Sequence, residues 1–489
     1  MVSSLSFQFK VNFSEGDTKM YAAEFDSEFD HEPRSDEESR TEVNLDCSIR
    51  IFSAENYREG TIESKNFRAM TNDQEKNVTF DDKSFEEVLR RGLNDETISN
   101  VRIKSQTPAV GKGENFMSQM WRLTLTYSRE GQNGVNRKPD KSMGNSLRKE
   151  ISLIVKIEPE TKGFCLEMIR DQKCFVTETK VFKAMMPEME KLLKRSLAPK
   201  CFYAHQTKDK RSFIVLEDLK PLGFATKDRQ SGLSRSHVSM VLEALASFHA
   251  ASVRQREQNP ELVESFTDGL WMDKTPKNMF RAMEQSLRMV TEKCRDWPEP
   301  EYRIISEKLR AIEAKFAAEI LDAKKYEGSE FCVLNHGDCW VNNIMFREDE
   351  NGEPLEVRLV DFQLSVYSSP VIDLVYFLST CLSLEIQDDF EVFFNVYLER
   401  LRLRMETLGC RTQPPTIEEL RRAAIKRRMY RVMAGLMLYP RMLADVSEIE
   451  SFDQLITSGQ TRMNIFKNPA ATIAVQRSLL FMHKTGYLD

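Results

Sequence analysis

The stretch that most constrains this chain is Val333-Leu-Asn-His336-Gly-Asp338-Cys-Trp-Val-Asn-Asn343-Ile-Met-Phe346, followed by Arg358-Leu-Val-Asp361-Phe-Gln. Ile344–Arg347 and Val357–Val360 read as apolar strand segments. Between them, Glu348–Glu356 contains Asn351-Gly352, a dipeptide that favours tight reversal, so the two segments are expected to pair as an antiparallel hairpin. Such pairing brings the entry and exit of the hairpin together and places Asn343 beside Asp361. An amide oxygen and a carboxylate side by side are hard ligands suited to Mg2+. Asp338, in the loop five residues before Asn343, is within reach of an incoming hydroxyl. Phosphoryl transfer needs this set: an oriented nucleophile, an acceptor for its proton, and a metal against the charge on the phosphate oxygens. Any one of the three alone is better read as a turn residue capping a hairpin; together, on an apolar frame, they favour chemistry. The spacing Asp-x4-Asn with a downstream strand-borne Asp matches kinase catalytic and metal-binding loops.

A second constellation lies upstream. In Ile151-Ser-Leu-Ile-Val-Lys156-Ile157, Lys156 sits late in a β-branched strand, and an exposed strand lysine is its plain alternative. Glu178 falls three residues after Phe175 and four before Phe182, so a carboxylate shares a helix face with two phenylalanines. A buried carboxylate is costly unless paired, and Lys156 is the natural partner; alone, Glu178 reads as a boundary residue reaching solvent. Third is a glycine-bearing turn, Gly111-Lys-Gly113-Glu-Asn115-Phe-Met-Ser118, before the strand that contains Trp121. Glycines let backbone amides approach phosphates, although a plain hairpin turn explains an isolated GxG equally well. The run Phe213-Ile-Val-Leu-Glu217-Asp218-Leu219 ends a strand at the expected lobe junction, where the backbone at Glu217 and Leu219 would meet adenine; a simple strand end is the alternative.

Around these motifs the chain changes character along its length. Residues 1–80 are rich in Asp, Glu, Ser and Asn, and a stretch such as DSEFDHEPRSDEESRTE cannot bury enough surface to offset ordering entropy. This segment is expected to be a disordered acidic extension. Phe85, Val88 and Leu89 begin a helix, and Trp121, Leu123, Leu125 and Tyr127 alternate with polar residues as a strand does. One helix over about 167–195 and a strand over about 213–218 complete a small lobe, 81–220. From 221 to 489 the pattern is mainly helical: Val238, Val241, Leu242, Leu245 and Phe248 recur at helical spacing, and Thr416 with Glu419 forms a capping-box signature. The β element around 344–361 is the one interruption expected there.

Composition excludes several classes. A net charge of −6 over 489 residues gives no electrostatic footprint for nucleic acid, and the local runs Arg421-Arg422 and Lys426-Arg427-Arg428 read as a solvated helix face. Nine scattered cysteines without a CxxC pair fit reduced thiols better than a disulfide framework or zinc site. The longest apolar stretch, Val371 to Leu384, is short for a membrane span and carries Asp373, so it is expected to be a buried helix. With no signal peptide visible, a cytoplasmic location is the default expectation.

Taken in order, GKGENFMS, LIVKIEP, the F-x-x-E-x-x-x-F helix, VLEDL, HGDCWVNNIMF, LVDFQ and SSPVIDLVYFL resemble the ecdysteroid-kinase-like family, also labelled choline-kinase-like. It is a branch of the aminoglycoside phosphotransferase and protein-kinase-like superfamily. The resemblance runs from about Ser84 to at least Leu384 and omits the acidic first 80 residues. It implies an α+β, bilobal, protein-kinase-like fold with a small β-rich N-lobe and a large helical C-lobe. It also implies ATP and Mg2+ as cofactors. Carried over by position, Asp338 would be the catalytic base, and Asn343 and Asp361 the magnesium ligands. Lys156 would hold the α/β-phosphates, oriented by Glu178, and Gly111, Gly113, Asn115 and Ser118 would cover the nucleotide. His336 and Asp373 would brace the catalytic loop. Family members of known activity phosphorylate ecdysteroid hydroxyls, and detoxification of small hydroxylated compounds has been suggested for others.

Two features bear on the acceptor. The loop reads His-Gly-Asp, without the arginine that contacts a phosphorylated activation loop in protein kinases. Only eleven residues separate Asp361 from Asp373, too few for a segment that positions a peptide. A compact hydroxylated substrate, in a pocket fed by helices from 255–330, is therefore expected, and a protein substrate is not. The expected activity is that of a small-molecule phosphotransferase with an alcohol acceptor. A choline or ethanolamine kinase, and a catalytically silent ligand-binding protein on the same fold, are the alternatives.

Overall fold

The computed structural model describes residues 70–72, 75–110, 117–129, 148–159, 164–206, 212–450, 452–461 and 463–489. All fall within one compact unit, Thr61–Asp489. At its start β1 (Met70–Asn72) pairs with β2 (Glu75–Thr79), and a helix, Asp82–Leu93, follows. The remainder of the expected acidic tail lies outside the described residues.

The N-terminal lobe is a five-stranded antiparallel sheet built from β3 (Ile98–Pro108), β4 (Gln119–Arg129), β5 (Lys149–Ile157), β6 (Cys201–Gln206) and β7 (Ser212–Glu217), in the order β3-β4-β5-β7-β6. Period-two alternation gives this sheet two apolar faces. Leu123, Leu125, Leu153, Val155 and Val215 join Phe85, Val88 and Leu89 of the first helix in one core. Ile154, Ile214 and Leu216, the alternate residues, belong to the large core shared with the helical lobe. Lys156 lies two residues beyond Ile154 and therefore falls on that second face, with Met120 and Ile214 as its cross-strand partners.

The helix expected over 167–195 is broken. It runs as Phe164–Asp171 and Cys174–Lys180, with Lys173 left-handed between them, then a π-turn over Val181–Met185 and a last helix, Met186–Leu193. The left-handed residue offsets the second helix from the first. In the π-turn the Met185 carbonyl accepts from Gln255 Nε2 at 2.9 Å, a tertiary bond that the sequence pattern could not register.

The larger lobe is organised on the buried helix Arg235–Arg256 and its neighbour Phe390–Thr407. The expected hairpin forms: β10 (Ile344–Glu348) pairs with β11 (Pro354–Leu359), Ile344 opposite Leu359. It is not the lobe's one β element. β8 (Phe224–Thr226) adds to β10 as a third strand, and β9 (Val333–Asn335) pairs with β12 (Val366–Ser368). At three residues each, these segments carry too few alternations to read as strands. Val371–Thr380 is a helix buried along its whole length, and Thr416 with Glu419 closes a capping box. One basic run departs from the solvated-face reading. Arg427 is 1% exposed and donates to the carbonyls of Ala323 and Lys325 and to Glu330. Among the described residues no helix is long and apolar enough to cross a membrane.

Candidate active site

A cavity of about 410 Å3 opens where the β-sheet faces the β10–β11 hairpin. Lys156, Glu178, Glu217, Leu219, Asp338, Asn343 and Asp361 all line it, so seven of the residues singled out in the sequence converge on one space. Residues 255–330, expected to feed an acceptor pocket, do not line this cavity; its walls come from the sheet, the strand end at Leu216–Leu219 and the hairpin. Gly111, Gly113 and Asn115 lie outside the described residues. Ser118 is buried at the start of β4, and Met117, its neighbour, is the residue that lines the cavity.

Lys156 is the hub. Its Nζ donates to Glu178 Oε2 at 2.6 Å and to Asp361 Oδ1 at 2.7 Å. Glu178 is 1% exposed, set between the buried rings of Phe175 and Phe182 as the spacing predicts. Among the described residues its Oε1 has no hydrogen-bond partner, although the Phe362 N–H lies near enough to favour the charged carboxylate. Burial pushes the Glu178 carboxyl up, against the opposing pull of Lys156. For Lys156, burial works against its charge, but the Asp361 and Glu178 carboxylates outweigh it and hold the ammonium above its ordinary value.

The hairpin frames the other half. Val360 N–H donates to the Asn343 carbonyl at 3.0 Å, which closes the hairpin mouth and sets Asn343 beside Asp361. Asn343 Nδ2 donates to the Asp338 carbonyl and to Asp338 Oδ2, both at 2.9 Å. The amide hydrogens thus turn toward Asp338, and Asn343 Oδ1 meets no donor among the described residues. Asp361 adopts φ +68°, a left-handed conformation that costs a non-glycine residue about 1–3 kcal/mol and persists only where the surroundings enforce it. Asp338 stays partly open to the cavity. Burial, then the neighbouring Asp361 charge, pushes its carboxyl up to about 8.

Behind the loop, Asp373 Oδ2 accepts from His336 N–H at 2.6 Å and Oδ1 from Gly337 N–H at 2.8 Å. His249 Nε2 reaches the same carboxylate at 3.0 Å. His336 Nε2 bonds the Val360 carbonyl at 3.0 Å, and its Nδ1 accepts from Asp338 N–H at 3.3 Å. The proton therefore sits on Nε2, and burial keeps the ring neutral by lowering its pKa. Gly337 has φ +85°, and a Cβ there would lie 1.9 Å from the Leu364 carbonyl oxygen. The glycine of His-Gly-Asp is thus a steric requirement of this loop.

Several site residues escaped sequence reasoning. Tyr376 Oη donates to Asp338 Oδ1 at 3.0 Å; the available signal was a tyrosine one helical turn after Asp373 in an otherwise apolar run. Asp218, read only as part of a strand end, accepts from Arg122 Nε and Ser152 Oγ, both at 2.6 Å, and so ties the end of β7 to β4 and β5. Trp340 lines the cavity two residues beyond Asp338.

Among the described residues no three His, Cys, Asp or Glu side chains are gathered to hold a metal on their own. Asn343 Oδ1 and Asp361 Oδ2, with no competing donors, instead fit Mg2+, which takes one or two protein oxygens and completes its shell with phosphates and water.

The fold is that of a kinase-like protein, a small β-rich lobe on a larger helical one with a cleft between them. The ecdysteroid kinase-like family model matches residues 112–410 of the 489, and the chain belongs to that family. Among solved structures, choline kinase from Cryptosporidium parvum Iowa II is similar at 11% identity and TM-score 0.38, over 83% of this chain and 98% of that one. Plasmodium vivax ethanolamine kinase is similar at 10% identity and TM-score 0.33, over 78% and 83%. A thermostable mutant of an aminoglycoside phosphotransferase is similar at 12% identity and TM-score 0.27, over 82% and 98%. No curated protein sequence matches the chain.

Proposed function

We propose that this chain transfers the γ-phosphoryl group of ATP, with Mg2+, to a hydroxyl of a small molecule, a steroid of the ecdysteroid kind or a comparable hydroxylated compound. The single observation that carries the reading is that Asp338, Asn343, Asp361 and Lys156 line one cavity although 205 positions separate Lys156 from Asp361 in the chain. In this reading Asp338 accepts the proton of the acceptor hydroxyl. The acceptor oxygen forms a bond to the γ-phosphorus while the bond from that phosphorus to the β,γ-bridging oxygen breaks, its electron pair leaving with ADP. Lys156, held by Glu178, offers its ammonium to the α/β-phosphates. Asn343 and Asp361 would hold the Mg2+, which supplies neutralisation of charge on the phosphate oxygens. The backbone at Glu217 and Leu219 would meet the adenine, braced by Asp218. His336 and Asp373 hold the loop. Residues 81–220 would form the nucleotide lobe and 221–489 the catalytic and acceptor lobe.

The test is ATP consumption by the full chain with Mg2+ against ecdysone, choline, glucosamine and 4-nitrophenol, with Asp338→Asn as control. Turnover that depends on Asp338 and on one of these acceptors supports the proposal. Equal turnover in the control overturns the role given to Asp338, and failure of the wild type to bind or consume ATP overturns the proposal in favour of a silent binding protein.

A further inference from the structure

A carboxylate on a short side chain in a loop can rotate, and a base is effective only while its lone pairs are aimed at the proton it takes. Asp338 stands in such a loop, between β9 and the Val341–Asn343 turn. Two donors hold it. Asn343 Nδ2 approaches Oδ2 at 2.9 Å, and Tyr376 Oη approaches Oδ1 at 3.0 Å. Because they take different oxygens, they fix the plane of the carboxylate as well as its position.

Tyr376 belongs to the buried helix Val371–Thr380, three residues after Asp373. Residues so spaced share a helix face. One turn of this helix therefore grips the catalytic loop twice: Asp373 takes the main-chain N–H groups of His336 and Gly337, and Tyr376 takes the reactive side chain of Asp338. The helix is anchored from behind, where Arg431 Nη1 donates to Ser379 Oγ at 2.7 Å and its guanidinium lies 3.9 Å from the centre of the Phe390 ring. Tyr376 is 5% exposed and does not line the cavity, so its hydroxyl meets Asp338 from the protein side. Burial pushes its phenol well above the ordinary range, which leaves the Tyr376 proton on its own oxygen while Asp338 handles the acceptor's.

We propose, resting on the phosphotransferase reading above, that Tyr376 is a positioning residue for the reaction: it holds Asp338 in the rotamer that receives the acceptor hydroxyl. It acts through Asp338 and touches neither nucleotide nor acceptor. The Asp373–Tyr376 pair makes this helix turn the device that aligns the loop's backbone and its base together.

The experiment uses the full chain with Mg2+ and ATP, and whichever acceptor of the panel turns over fastest, or water where none exceeds it. Tyr376→Phe removes one oxygen atom from a buried site and keeps the ring. It is expected to lower kcat by about 10- to 100-fold, the scale of a misoriented catalytic group, with the KM for ATP and the Tm unchanged. In an Asp338→Asn background the same change is expected to cost no further activity, because its target is already lost. Wild-type kcat in Tyr376→Phe overturns the proposal. So does a parallel fall in kcat, ATP affinity and Tm, the mark of a merely structural residue, and so does an equal loss in the Asp338→Asn background. Full activity in Asp338→Asn alone refutes the phosphotransferase reading instead, a result that Tyr376→Phe cannot mimic.

Discussion

Two buried cations show how differently this molecule treats charge. Arg427 is surrounded mainly by main-chain dipoles: the carbonyls of Ala323, Lys325 and Ala423 accept from it, and Glu330 balances it. Lys156 is surrounded by carboxylates, Glu178 and Asp361, with Asp338 close by. Around Arg427 nearly every hydrogen has an acceptor. Around Lys156, whose ammonium also meets Gln363 Oε1 at 3.5 Å, carboxylate oxygens predominate; among the described residues Glu178 Oε1 has no hydrogen-bond partner, and Asp361 carries an unfavourable φ. A saturated network holds structure together. An unsaturated one, with like charges crowded beside a cavity, is what the metal–triphosphate of the proposed reaction would complete.

The contrast breaks first at the carboxylates. Asp361→Ala or Asp338→Ala should reduce phosphoryl transfer by about 10²–10⁴-fold, the range for a lost general base or its equivalent, while the far-ultraviolet circular dichroism stays that of the wild type. Substantial turnover in either variant would mean that the crowded charges serve stability alone. The two cations should then part company. Arg427→Ala leaves the buried carbonyls of Ala323 and Lys325 without their donor and takes from Glu330 the nearer of its two cations; it is expected to cost about 2–3 kcal/mol of stability, read as a drop in Tm or midpoint denaturant concentration. Lys156→Met should lose about 100-fold in kcat/KM for ATP, with a smaller drop in Tm, because the buried Glu178 can take a proton and Asp361 keeps solvent access at 19% exposure. If Lys156→Met proves the less stable of the two, the distinction between saturated and unsaturated sites fails.

How much of this was legible depended on whether the signal was local. The hairpin could be read because Asn351-Gly352 and two apolar segments lie within one short stretch, and the register followed. Glu178 could be paired with Lys156 because two flanking phenylalanines forced its carboxylate inward. Arg427 was misread because adjacent basic residues look alike in sequence; the carbonyls that bury it sit about a hundred positions away, at the end of another helix. Gly337 was legible as a missing arginine but not as a steric necessity, since Leu364 approaches it only in the folded loop. Tyr376 and the Arg122–Asp218–Ser152 link were missed for the same reason: each is a polar tertiary contact, and polar contacts leave no periodicity. The broken helix over 164–193 shows the converse limit, where periodicity was present but a left-handed Lys173 and a π-turn interrupted it.

The smallest expected effect is also the sharpest measure of the crowded site. Asp338 has its carboxyl pushed up to about 8, against about 4 for an unfolded aspartate. Between those values the folded chain holds a proton that the unfolded chain has released, so the unfolded state binds fewer protons and stability falls as pH rises. Below about pH 4 both states are protonated and there is no penalty; above about pH 8 the penalty is complete. Asp338→Asn removes this titration and keeps one oxygen, for the Tyr376 hydroxyl, while its amide nitrogen faces Asn343 Nδ2 and forfeits that bond, which offsets part of the gain. Its Tm should therefore exceed that of the wild type by a few degrees at pH 8 and by less at pH 5. The same background of Glu178 and Lys156 is present in both proteins and cancels in the difference. Saturating Mg2+ and ATP should close the gap, because the cation stabilises the ionised Asp338 that the empty cleft penalises. A gap of the same size at both pH values would show that Asp338 is no more strained than the saturated Arg427 site, and the difference between the two regions would then rest on geometry alone.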